Sequence, residues 1–152
     1  MAWQTPKTDW KAEYNASGLF KGDFFNVGDY NRIKNNLLYL RSLANQLLPN
    51  IPSITVGADK HYPVNGSPDF DNDNFFADEI NLIENGLYKL DQAIPFVNFG
   101  KKKTYYDNGL FIDYKELNRI EKAELELYEL LVTSLEARRR LSFKLNTRCG
   151  TF

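Results

Sequence analysis

Three amphipathic stretches, each entered through the same short residue pattern, predict a mainly α protein. The expected architecture is a small three-helix bundle with long aromatic-rich loops and one short β-hairpin. The first stretch runs from about Val27 to Leu48, with Tyr30, Ile33, Leu37, Leu40, Ala44 and Leu47 three and four apart, the spacing of one buried helical face. Pro49 ends it. The second covers about Ala77 to Ala93, carries Ile80, Ile83, Leu87 and Leu90, and stops before Pro95. The third, about Tyr114 to Lys144, is the longest and carries Leu117, Ile120, Leu127, Leu131 and Leu135. With 152 residues the chain has room for one core.

The helix starts are related to one another. "FNVGDYNRIKNNLLYL" (Phe25 to Leu40) recurs as "FFADEINLIENGLYKL" (Phe75 to Leu90) and as "IDYKELNRIEKAELEL" (Ile112 to Leu127). Aligned on Asn31, Asn81 and Asn118, each copy has Ile two residues later (Ile33, Ile83, Ile120) and then a charged residue (Lys34, Glu84, Glu121). Unequal periods exclude a solenoid; this is one helix-start device used three times. Asp113 and Glu116 have the spacing of a capping box, and Asn26 with Asp29 repeats it. In the second copy the aligned cap is Phe76, so Asn74 is expected to take that role. The repeated Asn lies about one turn inside each helix, where it is a poor helix former. Its amide can donate twice and accept twice, which suits it to tie an adjacent loop backbone to the helix start.

The domain plan that follows is an extended N-terminal arm, residues 1–24, and a single helical domain, residues 25–152. Aromatic residues are abundant, with 11 Phe, 9 Tyr and 2 Trp, and many fall in loops. Trp3 and Trp10 stand in a polar arm without helix or strand periodicity, so they are expected to pack outside the bundle as interface anchors. "TYYDNGLFI" (Thr104 to Ile112) has the Asn-Gly signal of a hairpin. The third helix outruns the other two. Leu135, Arg138, Leu141 and Phe143 near its end are therefore expected to meet another subunit.

Little in the chain points to chemistry. A net charge of −1 draws it toward neither nucleic acid nor an anionic membrane. Cys149 is the only cysteine and His61 the only histidine, so neither an internal disulfide nor a Cys- or His-based zinc site is expected. "DFDNDN" (Asp69 to Asn74) alternates acids as a calcium loop does. The required Gly and Glu positions are occupied by Asn74 and Ile80, so a capped turn is expected instead. Glu124 and Glu126, beside Lys122, read as a solvated helix face. No catalytic, metal or cofactor site is expected.

The helix-start pattern resembles a sequence style of virion structural proteins from tailed phages that infect Gram-positive bacteria. There a stretch of the form W-x-x-G-x-x-F-x-x-x-D-(Y/L)-N-R-I-E marks tail, baseplate or tail-fibre components. The matching positions are Trp10, Phe25, Asp29, Tyr30, Asn31, Arg32 and Ile33, and again Tyr114, Leu117, Asn118, Arg119, Ile120 and Glu121. The second copy departs, with Leu82 in place of Arg. The resemblance implies a non-enzymatic part of an assembled particle. The chain is expected to contact other virion proteins and copies of itself as a homo-oligomer, with no nucleic acid, no membrane insertion and no cofactor. A neck or head-attached component, or a binding module for a host protein or surface glycan, are the alternative roles.

Overall fold

The computed structural model describes residues 2–61 and 75–149, apart from the side chains of Phe143 and of residues 145–149. Three helices carry the fold: α1 (Val27–Leu47), α2 (Ala77–Ala93) and α3 (Tyr114–Cys149). Each start is satisfied differently. Asn26 Oδ1 accepts from Asp29 N–H at 3.2 Å and the Asp29 carboxylate accepts Asn26 N–H at 3.1 Å, a full capping box. Phe76 has no side chain able to cap, so only the return half forms, with Glu79 accepting Phe76 N–H at 3.1 Å. Asn74, the expected substitute cap, lies outside the described residues. Asp113 accepts Glu116 N–H at 2.9 Å. The expected return bond from Glu116 is replaced: its carboxylate binds Arg119 at 2.6 Å and Lys103 at 2.9 Å.

The three helices run in the same direction. The first turns of α1 and α3 are joined through Arg32 and Glu121, and near the far ends Arg138 of α3 donates to the Gln46 carbonyl of α1. The starts of α2 and α3 meet through Glu84 and Arg119. Phe25, Phe75 and Phe111, one ahead of each helix, cluster with ring centroids 4.9 to 6.2 Å apart and close the bundle at that end. Parallel neighbours cannot be joined by tight turns; the chain must travel back the length of the bundle before each new helix. The long connections in the sequence do this work. Between the helices lies one core of Tyr30, Ile33, Leu37, Leu40, Ile80, Ile83, Leu87, Leu90, Ile120 and Leu127, all nearly inaccessible. Gly86 lets α1 and α2 approach closely, because a Cβ there would stand 2.5 Å from Leu37 Cδ2.

Two expectations are corrected by this layout. The N-terminal segment does not pack outside the bundle: Trp10 is 3% exposed and belongs to the core. Residues 2–10 are extended, as expected, but they fill a groove that the helices leave open. The hairpin at Thr104–Ile112 does not form either. Asp107–Gly109 make a turn, with Asn108 at φ 59° and Gly109 N–H donating to Tyr106 O at 2.9 Å. No strand flanks it among the described residues, because the chain on its N-terminal side is already bonded to α2. Among the described residues the only antiparallel pairing is an isolated bridge elsewhere in the chain, Tyr14 to Phe20.

At 1.5 Å per residue α3 is about 54 Å long, against about 32 Å for α1 and about 26 Å for α2. Its last turns extend past both partners, and every described side chain from Glu136 onward is exposed.

Candidate functional site

The repeated asparagines form a set of backbone clamps. Asn31 Nδ2 donates to Lys60 O at 2.7 Å, and its Oδ1 accepts Lys60 N–H at 2.9 Å. Asn81 does the same to Tyr105, at 2.8 and 2.7 Å. Asn118 does it to Trp10, at 3.0 and 2.8 Å. Each amide satisfies both backbone groups of one extended residue, as a neighbouring strand would. The order is cyclic. The segment leading into α2 is held by α1, the segment leading into α3 is held by α2, and the segment leading into α1 is held by α3. A fourth clamp was not read from the sequence: Asn36, fully buried, exchanges bonds of 2.7 and 3.0 Å with Gln4. It has no counterpart in the other copies, where Gly86 and Ala123 stand in its place, so repetition could not reveal it.

Replacing any one of Asn31, Asn81 or Asn118 with Leu leaves a backbone N–H and C=O unpaired. Each variant is expected to lose about 1–3 kcal/mol in chemical denaturation. Three wild-type denaturation midpoints would refute the clamp role.

A second ring of contacts uses the residues one and three places after each Asn. Arg32 of α1 donates to Glu121 of α3 at 2.7 and 3.1 Å and to Asp29 at 2.7 Å. Arg119 of α3 binds Glu84 of α2, and also Glu116 and the Phe99 carbonyl. The third pair in this cycle would join position 82 of α2 to position 34 of α1. Both members have changed, to Leu82 and Lys34, and the buried Lys34 ammonium instead binds Asp59 of the returning chain. The Leu82 departure noted in the sequence is thus matched on its partner helix. Glu121 is the most heavily used group: besides Arg32 it accepts Lys7 N–H at 2.6 Å and Trp10 Nε1–H at 2.8 Å.

Glu124 corrects the sequence reading. It is fully buried, not on a solvated face, and neither carboxylate oxygen has a hydrogen-bond partner among the described residues. Burial, and next the charge of Glu121, push its proton affinity well above the usual carboxylate range, with Asn36 and Arg32 opposing. The sign follows from linkage. A carboxyl whose folded pKa is raised contributes its full stability below the unfolded value, and that contribution is lost as pH rises through the folded pKa. Glu124→Gln is therefore expected to gain in melting temperature over the parent as pH rises from 5 to 9. Carboxylates with lowered pKa, such as Asp59 and Glu116, act alike in both proteins and cancel in the difference. A difference independent of pH would show that Glu124 does not titrate in this way.

The expected interface residues separate into two groups. Trp3 stacks on Tyr128 with centroids 4.1 Å apart, and Trp10 is buried. Leu135 packs partly buried against the core, and Arg138 binds the last turn of α1 at Gln46 O, 2.9 Å. These four serve the fold of the chain itself, because the ends of α1 and the N-terminal segment reach them. Leu141 is 61% exposed; the Phe143 side chain lies outside the described residues.

At the helix-start end, Tyr14, Leu19, Phe24, Tyr106, Leu110 and Phe111 are exposed. There Phe75, Phe76, Tyr105, Tyr106 and Phe111 help to line a cavity of about 440 Å³. His61 is exposed, and no cluster of metal-ligating side chains occurs among the described residues. No described helix is long and apolar enough to cross a membrane. The segment Asp69 to Asn74 lies outside the described residues. No protein family, curated protein or solved structure matched the chain.

Proposed function

We propose that this chain is a non-enzymatic structural subunit of a phage tail or baseplate, joined to copies of itself and to other virion proteins. The observation that carries the reading is a tightly bonded bundle with apolar surface at both ends. One end presents Leu141 on the overhanging α3, and the other presents Tyr14, Leu19, Phe24, Leu110 and Phe111. Exposed apolar surface at two separated places suits a part held between neighbours. The buried polar groups support this reading, since the clamps and the Arg–Glu pairs spend their bonds on the chain's own backbone and helices. The helix-start resemblance supplies the virion context.

The test is quantitative mass spectrometry of purified phage particles, with an antibody to the chain for electron microscopy. A fixed copy ratio and label at the tail or its tip are expected. Absence from washed particles would sink the reading. The aromatic-lined cavity of about 440 Å³ favours a second reading, a module binding a host protein or surface glycan. Saturable binding of the isolated chain to host cell walls would select that one.

A further inference from the structure

The seat of the N-terminal segment is made of groups that recognise main chain. Asn36 holds both backbone groups of Gln4, Glu121 takes Lys7 N–H, and Asn118 holds both backbone groups of Trp10. The Trp10 indole and the stacked Trp3 ring supply side-chain selectivity. These main-chain partners all lie on α1 and α3; residues 11–25, which connect the segment to α1, add only the Lys7–Asp23 ion pair at 3.3 Å and the contact of Trp10 with Phe25. That connection behaves as a separate excursion. It turns back on itself through the Tyr14–Phe20 bridge, with Asn15 Oδ1 accepting Ser17 and Leu19 N–H at 3.0 and 2.9 Å. It also leaves Tyr14 69%, Leu19 66% and Phe24 73% exposed. Large apolar side chains gathered on a solvent-facing connection are surplus to a closed monomer.

We propose that the α1–α3 seat accepts the 2–10 segment of a second copy, and that residues 11–25 are the hinge that crosses between the two copies. Exchange re-forms the bonds of the seat and gives up those of the connection, the Tyr14–Phe20 bridge and the Lys11–Asp23 and Lys7–Asp23 contacts. It adds something the closed chain lacks: two hinges brought side by side can cover Tyr14, Leu19 and Phe24. The hinge has the reach, since residues 11–25 drawn out span roughly 50 Å, longer than α1. The inference deepens the assembly reading and rests on it for purpose, but the exchange itself can be tested without particles.

The experiment uses the full chain with Trp3 replaced by photoreactive benzoylphenylalanine, which faces Tyr128 of α3. Equal amounts of ¹⁵N-labelled and unlabelled protein are incubated together at high concentration, irradiated and digested. With exchange between copies, about half of the peptides joining position 3 to α3 carry one heavy and one light partner. Isotopically uniform cross-links at every concentration overturn the proposal. A second protein, also bearing Leu19→Ser and Phe24→Ser, should keep the parent melting temperature and return to uniform cross-links. Undiminished exchange in that protein would overturn the hinge assignment. Mixed cross-links in a chain absent from particles would remove the virion reading alone, and uniform cross-links in a chain found in tails would remove exchange alone.

Discussion

Glu121→Ala is expected to lower the stability of the fold by about 3–5 kcal/mol, the cost of removing one partner from a buried ion pair. Glu121 is fully buried and Arg32 partly so, with side-chain exposures of 0% and 16%. Removing the carboxylate leaves the guanidinium with Asp29 alone, and it also strips the acceptor from Lys7 N–H and from the Trp10 indole. Three separate elements, α1, α3 and the N-terminal segment, lose a shared bond. The companion variant is Glu121→Leu with Arg32→Leu, which removes both charges together. It should recover part of the loss, since an apolar pair of similar volume can replace a buried ion pair. It should not recover all of it, because the two donors of the N-terminal segment remain unpaired. Urea denaturation of the parent, the single and the double variant measures this directly. A loss below about 1 kcal/mol for Glu121→Ala would make the contact equivalent to a surface ion pair.

The helices were legible because a buried helical face writes a period into the sequence, as at Ile80, Ile83, Leu87 and Leu90. The asparagine clamps were legible for a different reason. A poor helix former in the same register three times signals a role even when its partner is unknown. The partners were not legible. Lys60, Tyr105 and Trp10 contribute backbone groups, and backbone carries no residue signature. For Trp10 the clamp also lies 108 residues away. The same blindness produced the error over the arm: an extended segment held by main-chain bonds shows neither helical nor alternating periodicity, yet it is core. Glu124 misled in the opposite way. Its place in the stripe between Ile120 and Leu127 marked it as buried, but a carboxyl there conflicts with ordinary burial costs, so composition argued for solvent. The parallel direction of the helices follows from connection length, but only after the Arg32–Glu121 and Arg138–Gln46 contacts show which ends meet.

The second large effect concerns Trp10, and it decides whether the N-terminal segment is part of the fold. Trp10→Ala is expected to cost about 3–5 kcal/mol, the usual range for truncating a buried aromatic side chain to alanine. The ring is 3% exposed, it lies 6.1 Å from Phe25 across the helix starts, and its Nε1–H bonds a buried carboxylate. Trp10→Phe separates these contributions. It keeps most of the apolar ring but removes the bond to Glu121, and should cost about 1.5–3 kcal/mol, the worth of a hydrogen bond to a charged group. Deletion of residues through Trp10 removes the Asn36, Asn118 and Glu121 contacts together. It should therefore weaken helical circular dichroism at physiological temperature, where a dispensable arm would leave the signal intact. The clamp gives an internal check. In the Trp10→Ala protein Asn118 can still hold the backbone of residue 10, so adding Asn118→Leu should destabilise further, by about 1–3 kcal/mol. If Trp10→Ala instead fell within about 0.5 kcal/mol of the parent, as substitutions at exposed positions do, the ring would have to lie outside the core and the cyclic closure of α1 by α3 would fail.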